Sequence, residues 1–147
     1  MEVYCLKYAE SVLPESYVFD GGDQRRMVPI AFTFYLIKDE SRNILVDAGC
    51  DTMPGFEMKR HYSPAFVLRT LDLSPDDITD VIITHSHHDH IEALRRFGNA
   101  VLHITKKEYE NGKNYIPQNM KLNLFDGEYL LGNVKVTECG GHSEGSQ

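Results

Sequence analysis

The sequence has few of the features that mark secreted, membrane or nucleic-acid-binding proteins. Its three cysteines, Cys5, Cys50 and Cys139, are widely spaced and form no C-x-x-C pair, so a disulfide framework is not predicted. No basic segment followed by an apolar run opens the sequence, and no apolar run reaches the length of a membrane span. We therefore expect a protein of the reducing cytoplasm with no membrane partner.

Clustered positive charge is also missing. The formal net charge is −7, and basic pairs such as Arg25-Arg26 and Lys106-Lys107 are typical of a solvated surface. Because phosphate binding depends on clustered lysine and arginine, this balance argues against a nucleic-acid partner and against a nuclease. The length of 147 residues, with 41% hydrophobic and 25% charged residues, predicts one globular domain with a real core.

The most informative stretch is residues 80–90, which read DVIITHSHHDH. An apolar run typical of a buried strand is followed at once by four histidines and an aspartate within six residues. If the backbone stays extended, alternate side chains share a side, which groups His85, His87 and Asp89 and turns Ser86 and His88 away. Imidazole nitrogens with one carboxylate suit zinc, iron or manganese better than calcium or magnesium. The spacing therefore predicts a transition-metal site.

His90 interrupts this alternation. Helical character resumes over residues 91–96, and a turn there would carry the imidazole of His90 back toward Asp89. Two adjacent sets of metal ligands are the result. The side chains expected to be structural rather than ligands are those of Cys50, His88 and His103.

Local patterns predict the elements around this stretch. Residues 31–37 and 44–46 are typical of strands joined by a polar hairpin turn over residues 38–43. Ser63 followed by proline is typical of a helix start, and Thr105 with Glu108 predicts a capping box. The segment that leads to Pro29 is rich in glycine and charge, and we expect a plain surface loop there.

The stretch THSHHDH resembles the H-x-H-x-D-H signature of the metallo-beta-lactamase superfamily, and three other stretches agree with that family in order and spacing. Residues 43–49 (NILVDAG) resemble its strand that ends in Asp and Gly. Residues 73–78 (LSPDDI) are similar to its approach to the metal strand, and residues 140–146 (GGHSEGS) to its G-H-x-x-G-S segment. The similarity spans roughly residues 32–147.

The resemblance implies an α/β fold, the αββα sandwich of this superfamily. Residues 1–147 would form a single domain that holds the first half of the sandwich and the start of the second. In the family, the second half supplies a bridging aspartate and a last histidine to the metal pair, and nothing after His142 can supply either. We therefore expect a domain truncated at its C-terminal end, with one sheet face exposed and prone to aggregation, dimerisation or strand exchange.

The resemblance also assigns roles to individual residues. His85, His87 and His142 would hold the first of two divalent metals, Asp89 and His90 would help to hold the second, and Asp47 would accept hydrogen bonds behind them. The metals, zinc or else iron or manganese, would turn a bound water into a hydroxide nucleophile and polarise the carbonyl under attack. Asp89 would orient that nucleophile and pass a proton to the leaving group.

These roles imply a metal-dependent hydrolase that acts on an ester, lactone or thioester carbonyl of a small molecule. The sequence, including residues 106–109, is most similar to the branch of acyl-homoserine-lactone lactonases, and a glyoxalase II-like thioesterase is the nearest alternative. A second hypothesis, from a different functional class, is that the chain is a catalytically incomplete fragment that binds one metal or none and self-associates. The ligands are also compatible with a diiron relative that handles oxygen, because nitrogen and oxygen ligands do not determine which metal binds.

Overall fold

A six-stranded sheet runs through the computed structural model, which describes residues 1–39 and 41–147. Its strands, in spatial order, are β1 (Glu2–Pro14), β2 (Met27–Asp39), β3 (Arg42–Val46), β4 (Asp80–Ile82), β5 (Val101–Thr105) and β6 (Lys121–Phe125). A separate antiparallel hairpin joins β7 (Glu128–Leu131) to β8 (Val134–Thr137). The predicted polar turn over residues 38–43 includes Glu40, which lies outside the described residues.

The first three strands are antiparallel neighbours, as predicted for β2 and β3, and the pairs from β3 to β6 are parallel. Parallel pairs need crossover connections, and a short helix lies in each. These helices are α1 (Pro64–Leu68), α2 (His88–Ile91) and α3 (Lys106–Gly112), with 3-10 turns at Glu15–Tyr17, Arg69–Leu71, Pro75–Asp77, Glu92–Phe97 and Lys113–Tyr115. Over the described residues, none of the helices has the length and apolar character that crossing a membrane requires.

The predicted helix start at Ser63 is confirmed. The Ser63 hydroxyl accepts a hydrogen bond from the backbone N–H of Phe66 at 3.2 Å, and Pro64 occupies the first helical position. The same N–H also donates to the backbone carbonyl of Ser63 at 2.9 Å, so the side chain and the backbone of the cap residue both accept from the first turn. Pro64 adds a preset backbone angle without losing a hydrogen bond.

The period-two pattern of the strands gives the sheet two buried faces in its centre. On one face, Phe34 and Leu36 of β2 pack with Leu102 in the main core. On the other face, Ile44 of β3 and Ile82 of β4 pack against the β7–β8 hairpin. The hairpin leaves the first two strands less covered, where Val3 is 59% exposed and Tyr35 is 42% exposed. Self-association through this uncovered part stays a prediction.

The expectation of a plain surface loop before Pro29 was wrong at both ends of that segment. The strand β1 continues to Pro14 and β2 begins at Met27, so both ends of the segment form the arms of one long hairpin whose last pair is Pro14 with Met27. Residues 15–26 connect the two arms. Glycine and charge are concentrated at residues 20–23, between the two arms. The cross-strand pairing that extends both arms is not a local property of the sequence.

Candidate metal centre

The ends of several strands bring the predicted ligands to one edge of the sheet. Asp47 directly follows β3, residues 85–90 follow β4 after a short loop, and residue 142 follows β8. In a parallel sheet the carboxyl ends of neighbouring strands meet at the same edge, which is where such sheets usually bind ligands. One cavity of about 430 Å³ is lined by all five predicted metal ligands, His85, His87, Asp89, His90 and His142.

Three of these histidines form a compact group. One ring nitrogen from each of His85, His87 and His142 lies within 4.8 Å of the other two. Nε2 of His142 and Nδ1 of His87 are 2.9 Å apart. Nε2 of His85 is buried and has no hydrogen-bond partner among the described residues. Because buried polar atoms almost always have a partner, this arrangement fits a metal ion bound among the three rings.

The protonation of His85 suits a metal ligand. Burial, followed by the neighbouring His90, lowers the pKa of His85 to about 4, so its imidazole is neutral at neutral pH. A metal needs this neutral form, because only a deprotonated ring nitrogen has a free electron pair. The hydroxyl of Thr84 lies 3.0 Å from Nδ1 of His85, which leaves the other nitrogen for a metal.

The second predicted ligand pair is next to the first group. Nε2 of His90 lies 3.5 Å from Oδ2 of Asp89, and the rings of His90 and His85 are 4.0 Å apart. Burial disfavours the charged form of His90, but the hydrogen bond and charge of Asp47, together with Asp89, outweigh it and raise the pKa of His90. The carboxylates on both sides of the ring therefore hold it in place by charge as well as by hydrogen bonding.

Asp47 accepts the hydrogen bonds that the sequence predicted for it. Its carboxylate accepts from the backbone N–H of Thr84 at 2.8 Å and from Nδ1–H of His90 at 2.7 Å. Its backbone has a φ of 65°, a left-handed conformation that aspartate adopts more readily than most residues. This conformation turns the chain after β3 and places the carboxylate of Asp47 next to Thr84 and His90. Its influence on a bound metal stays a prediction.

The path of the chain differs from the extended one that the alternation assumed. The strand β4 ends at Ile82, a bend follows at Thr84 and α2 begins at His88, so the extended path does not continue to Asp89. Asp89 and His90 reach the cavity because the first turn of α2 carries them there. His88 points away, as predicted, and its ring nitrogens lie within hydrogen-bond distance of Thr52 and Tyr115.

Comparison with known proteins agrees with this geometry. Residues 33–143 match the family model of the metallo-beta-lactamase superfamily. The chain belongs to this superfamily. Over 105 residues it is 30% identical to the N-acyl homoserine lactonase AiiB of Rhizobium rhizogenes, a match that covers 61% of this chain and 38% of that relative. Over 173 aligned residues it is 23% identical to an N-acyl homoserine lactonase of Bacillus thuringiensis, covering 99% of this chain and 68% of that one.

Solved structures show the same metallo-beta-lactamase fold. A quorum-quenching N-acyl homoserine lactone lactonase superposes with a TM-score of 0.86 at 23% identity, covering 98% of this chain and 65% of that chain. The dizinc quorum-quenching lactonase AidC superposes with a TM-score of 0.64 at 19% identity, covering 88% and 59%. The chain thus spans about two thirds of the solved relatives, and its match to AiiB spans 38% of that protein.

Two residues that support the site in this superfamily member have no recognisable signal in the sequence. Tyr8 on β1 is 1% exposed, and its hydroxyl donates to the backbone carbonyl of Asp89 at 2.7 Å. Burial raises the pKa of Tyr8, so the hydroxyl keeps its proton and remains a donor. Tyr8 belongs to none of the motifs that were recognised in the sequence. The neighbouring Cys50 is the packed thiol that was predicted, and burial raises its pKa to about 11.

Glu108 is the second missed residue. The predicted capping box is only half present, because the Thr105 hydroxyl accepts from the backbone N–H of Glu108 but the carboxylate of Glu108 does not return to Thr105. Its oxygens instead accept from Ser86, Ser143 and Gly145. Burial alone would raise the pKa of Glu108, but these hydrogen bonds outweigh burial and lower it. A glutamate at this helix position is typical of a capping box, so nothing in the sequence indicated its contacts with Ser86, Ser143 and Gly145.

The rest of the cavity wall is apolar. Its lining comes largely from the hairpin arms and the turn that joins them, and the side chains are Leu13, Tyr17, Val18, Ile30, Phe32 and Phe56. Of these, Leu13, Tyr17 and Val18 lie where a surface loop was expected. The rings of Phe32 and Phe56 lie 5.7 Å apart. An apolar surface thus continues directly from the histidines of this metallo-beta-lactamase fold.

Proposed function

We propose that these residues belong to a metal-dependent hydrolase that opens the ring of N-acyl homoserine lactones or similar acylated lactones. The convergence of the five predicted ligands on one partly apolar cavity carries this proposal. His85, His87 and His142 would hold one metal, and Asp89 with His90 would help to hold a second. Zinc is the expected metal, supported by the ligand types and by the dizinc lactonase among the structural neighbours.

The chemistry follows from the positions of the side chains around this cavity. Bound divalent metals supply Lewis acidity, which lowers the pKa of water to about 7 and polarises a substrate carbonyl. Asp89 accepts a proton from the attacking water while the water oxygen bonds to the carbonyl carbon. The ring C–O bond then breaks, and the carboxyl of Asp89 returns the proton to the departing alkoxide. Tyr8 holds the backbone of Asp89 and Asp47 holds the ring of His90 during these steps.

The apolar wall favours a lactone with an acyl chain over a glutathione thioester. An acyl chain buries methylene groups against this wall, each contributing about 0.8 kcal/mol when fully buried. Glutathione is polar and charged, and none of the described residues that line this cavity is a lysine or an arginine. The thioesterase alternative therefore has less support from the side chains around the site.

A one-metal form of this chain is the second candidate. The tight group of ligand atoms comprises three histidines, His85, His87 and His142, whereas Asp89 and His90 offer a looser pair. A chain that holds only the first metal would lack the full constellation for hydrolysis. Metal content therefore separates the two candidates before any activity is measured.

The test begins with the zinc content of the purified protein, determined by elemental analysis after loading and desalting. N-acyl homoserine lactones with short and long acyl chains are then assayed beside a glutathione thioester. We expect lactone hydrolysis with a KM that falls as the acyl chain lengthens, and its loss in Asp89→Asn. The matched control is Asp126→Asn, an exposed carboxylate that pairs with Lys106 away from the cavity.

Other results would redirect the proposal. Faster turnover of the thioester than of every lactone would support the thioesterase alternative. One zinc per chain with no hydrolysis of either substrate would support the one-metal form. Full activity in Asp89→Asn would contradict the role proposed for that carboxylate.

A further inference from the structure

Two loops carry the three histidines of the compact group, and Glu108 lies between these loops. His85 and His87 lie on the loop after β4, which we call the first loop, and His142 lies on the loop after β8, which we call the second loop. Glu108 projects from α3 and is fully buried. It belongs to neither loop and yet contacts both.

The four hydrogen bonds of the Glu108 carboxylate divide evenly between the loops. Oε2 accepts from the backbone N–H and the hydroxyl of Ser86, both at 2.7 Å. Oε1 accepts from the hydroxyl of Ser143 at 2.7 Å and from the backbone N–H of Gly145 at 3.1 Å. Ser86 stands between two histidines of the first loop, and Ser143 directly follows His142. Each oxygen therefore holds one loop.

This pattern requires a carboxylate rather than an amide. A backbone N–H can only donate, and one such donor, from Ser86 or Gly145, points at each oxygen of Glu108. In glutamine one of the two oxygens becomes an NH₂ group, which is also a donor. Whichever way a glutamine at this position turned, its NH₂ would face a buried backbone N–H. In either orientation, one of the two loops would lose the hydrogen bond from its backbone N–H to the side chain at position 108.

The second loop packs directly on the helix that carries Glu108. The hydroxyl of Thr105 donates to the carbonyl of Gly145 at 2.9 Å. A Cβ atom at Gly145 would lie 2.5 Å from that hydroxyl, so only glycine allows this approach. Gln147 also joins the loops, since its backbone N–H donates to the carbonyl of Thr84 at 3.0 Å, on the strand side. Glu108 links the two loops on the side of the histidines.

We propose that Glu108 is a positioning residue that joins the two loops and so fixes the spacing at which His85, His87 and His142 converge. This inference rests on the proposed metal site. The carboxylate touches no predicted ligand directly and acts through the backbone of Ser86 and Gly145. Its role is to keep the three imidazoles at metal-binding distance before a metal arrives.

The experiment compares Glu108→Gln with the wild type and with Asp80→Asn. Asp80 is also a buried carboxylate with several partners, Arg42, Thr79 and His103, but it contacts neither loop. Zinc affinity is measured by competition with a chromophoric chelator. Amide hydrogen exchange at Ser86 and Gly145 is measured in the metal-free protein, and thermal unfolding reports the general loss of stability in both variants.

We expect zinc affinity to fall about 10- to 100-fold in Glu108→Gln, as is typical when residues that orient metal ligands are changed. Exchange at Ser86 or Gly145 should become faster in the same variant, and Asp80→Asn should change neither property. If Glu108→Gln does not fold, Ser143→Ala removes one of the four hydrogen bonds and should weaken zinc binding to a smaller extent.

Unchanged zinc affinity and unchanged exchange in Glu108→Gln would overturn the inference. An equal loss of zinc affinity in Asp80→Asn would also overturn it, because the loss would then follow from general destabilisation. A wild-type protein that binds no zinc would contradict the proposed function instead. In that case the exchange rates at Ser86 and Gly145 would decide by themselves whether Glu108 joins the loops.

Discussion

Nδ1 of His90 donates a hydrogen bond to Oδ2 of Asp47 at 2.7 Å, across a sequence separation of 43 residues. When His90 is neutral, this bond places its single proton on Nδ1 and leaves the electron pair on Nε2, the nitrogen beside Asp89. Asp47 therefore selects the tautomer of His90 that is able to bind a metal.

Asp47→Asn should reverse that selection. An amide nitrogen facing Nδ1 would favour the tautomer with the proton on Nε2, which has no electron pair for a metal. We expect the affinity for the second of two zinc ions to fall about 10- to 100-fold, measured by zinc titration with chelator competition. Asp39→Asn, a buried carboxylate bound to Asn133, is the matched control. Equal zinc binding by the two variants would contradict the tautomer argument.

Tyr8→Phe should lower stability without disrupting the core. The ring of Tyr8 packs beside Phe32 and Phe34, and phenylalanine keeps that packing, but the carbonyl of Asp89 loses its donor. We expect the free energy of unfolding to fall by about 1 kcal/mol in a urea titration. Tyr4→Phe, which removes an exposed hydrogen bond to Glu2, should have a smaller effect. A larger loss in Tyr4→Phe would show that the buried bond contributes little.

Gly145→Ala and Gly98→Ala should have opposite effects on stability. At Gly145 an added Cβ would lie 2.5 Å from the hydroxyl of Thr105 and 2.9 Å from Cβ of Lys107, whereas at Gly98 it would meet nothing within 4 Å. We expect Gly145→Ala to cost about 1–3 kcal/mol through overpacking. Gly98→Ala should be neutral or stabilise by up to about 1 kcal/mol. Urea unfolding of both variants checks this contrast, which equal effects would refute.

The buried pair of His103 and Asp80 should make stability depend on pH. Burial lowers the pKa of His103 by more than the hydrogen bond from its Nε2 to Asp80 raises it. Below about pH 6.5 the unfolded chain therefore binds a proton at His103 that the folded protein does not, and stability falls as pH falls.

His103→Gln removes this difference in proton binding between the folded and unfolded states. The variant should be less stable than the wild type at pH 7.5, and the difference should shrink toward pH 5.5. Urea unfolding of the metal-free proteins across this pH range measures the difference, and parallel pH profiles would refute the role of His103. Asp80 does not reverse the trend, because hydrogen bonds from Thr79, His103 and Arg42 overcome burial and lower its pKa. Its contribution to stability is lost only at lower pH, below the ordinary carboxyl pKa of about 4.

Much of the site could be predicted because its residues are grouped in the sequence. The alternation of side chains grouped His85 and His87 correctly, although β4 ends at Ile82 and both residues lie in the loop before α2. Asp89 reached the expected cavity by a different route, the first turn of α2. The function of Glu108 could not be predicted, because its partners Ser86 and Ser143 lie 22 and 35 residues away.

The sequence by itself predicted the family, the strands β2, β3 and β4 and the identity of the candidate ligands, because these depend on short-range patterns of polarity and spacing. Only the tertiary structure decided which tautomer of His90 is held, which carboxylate joins the two loops, and which hairpin supplies an apolar wall. Those properties come from contacts between segments far apart in the chain. Such contacts form only when the strands have paired and the helices have packed on them.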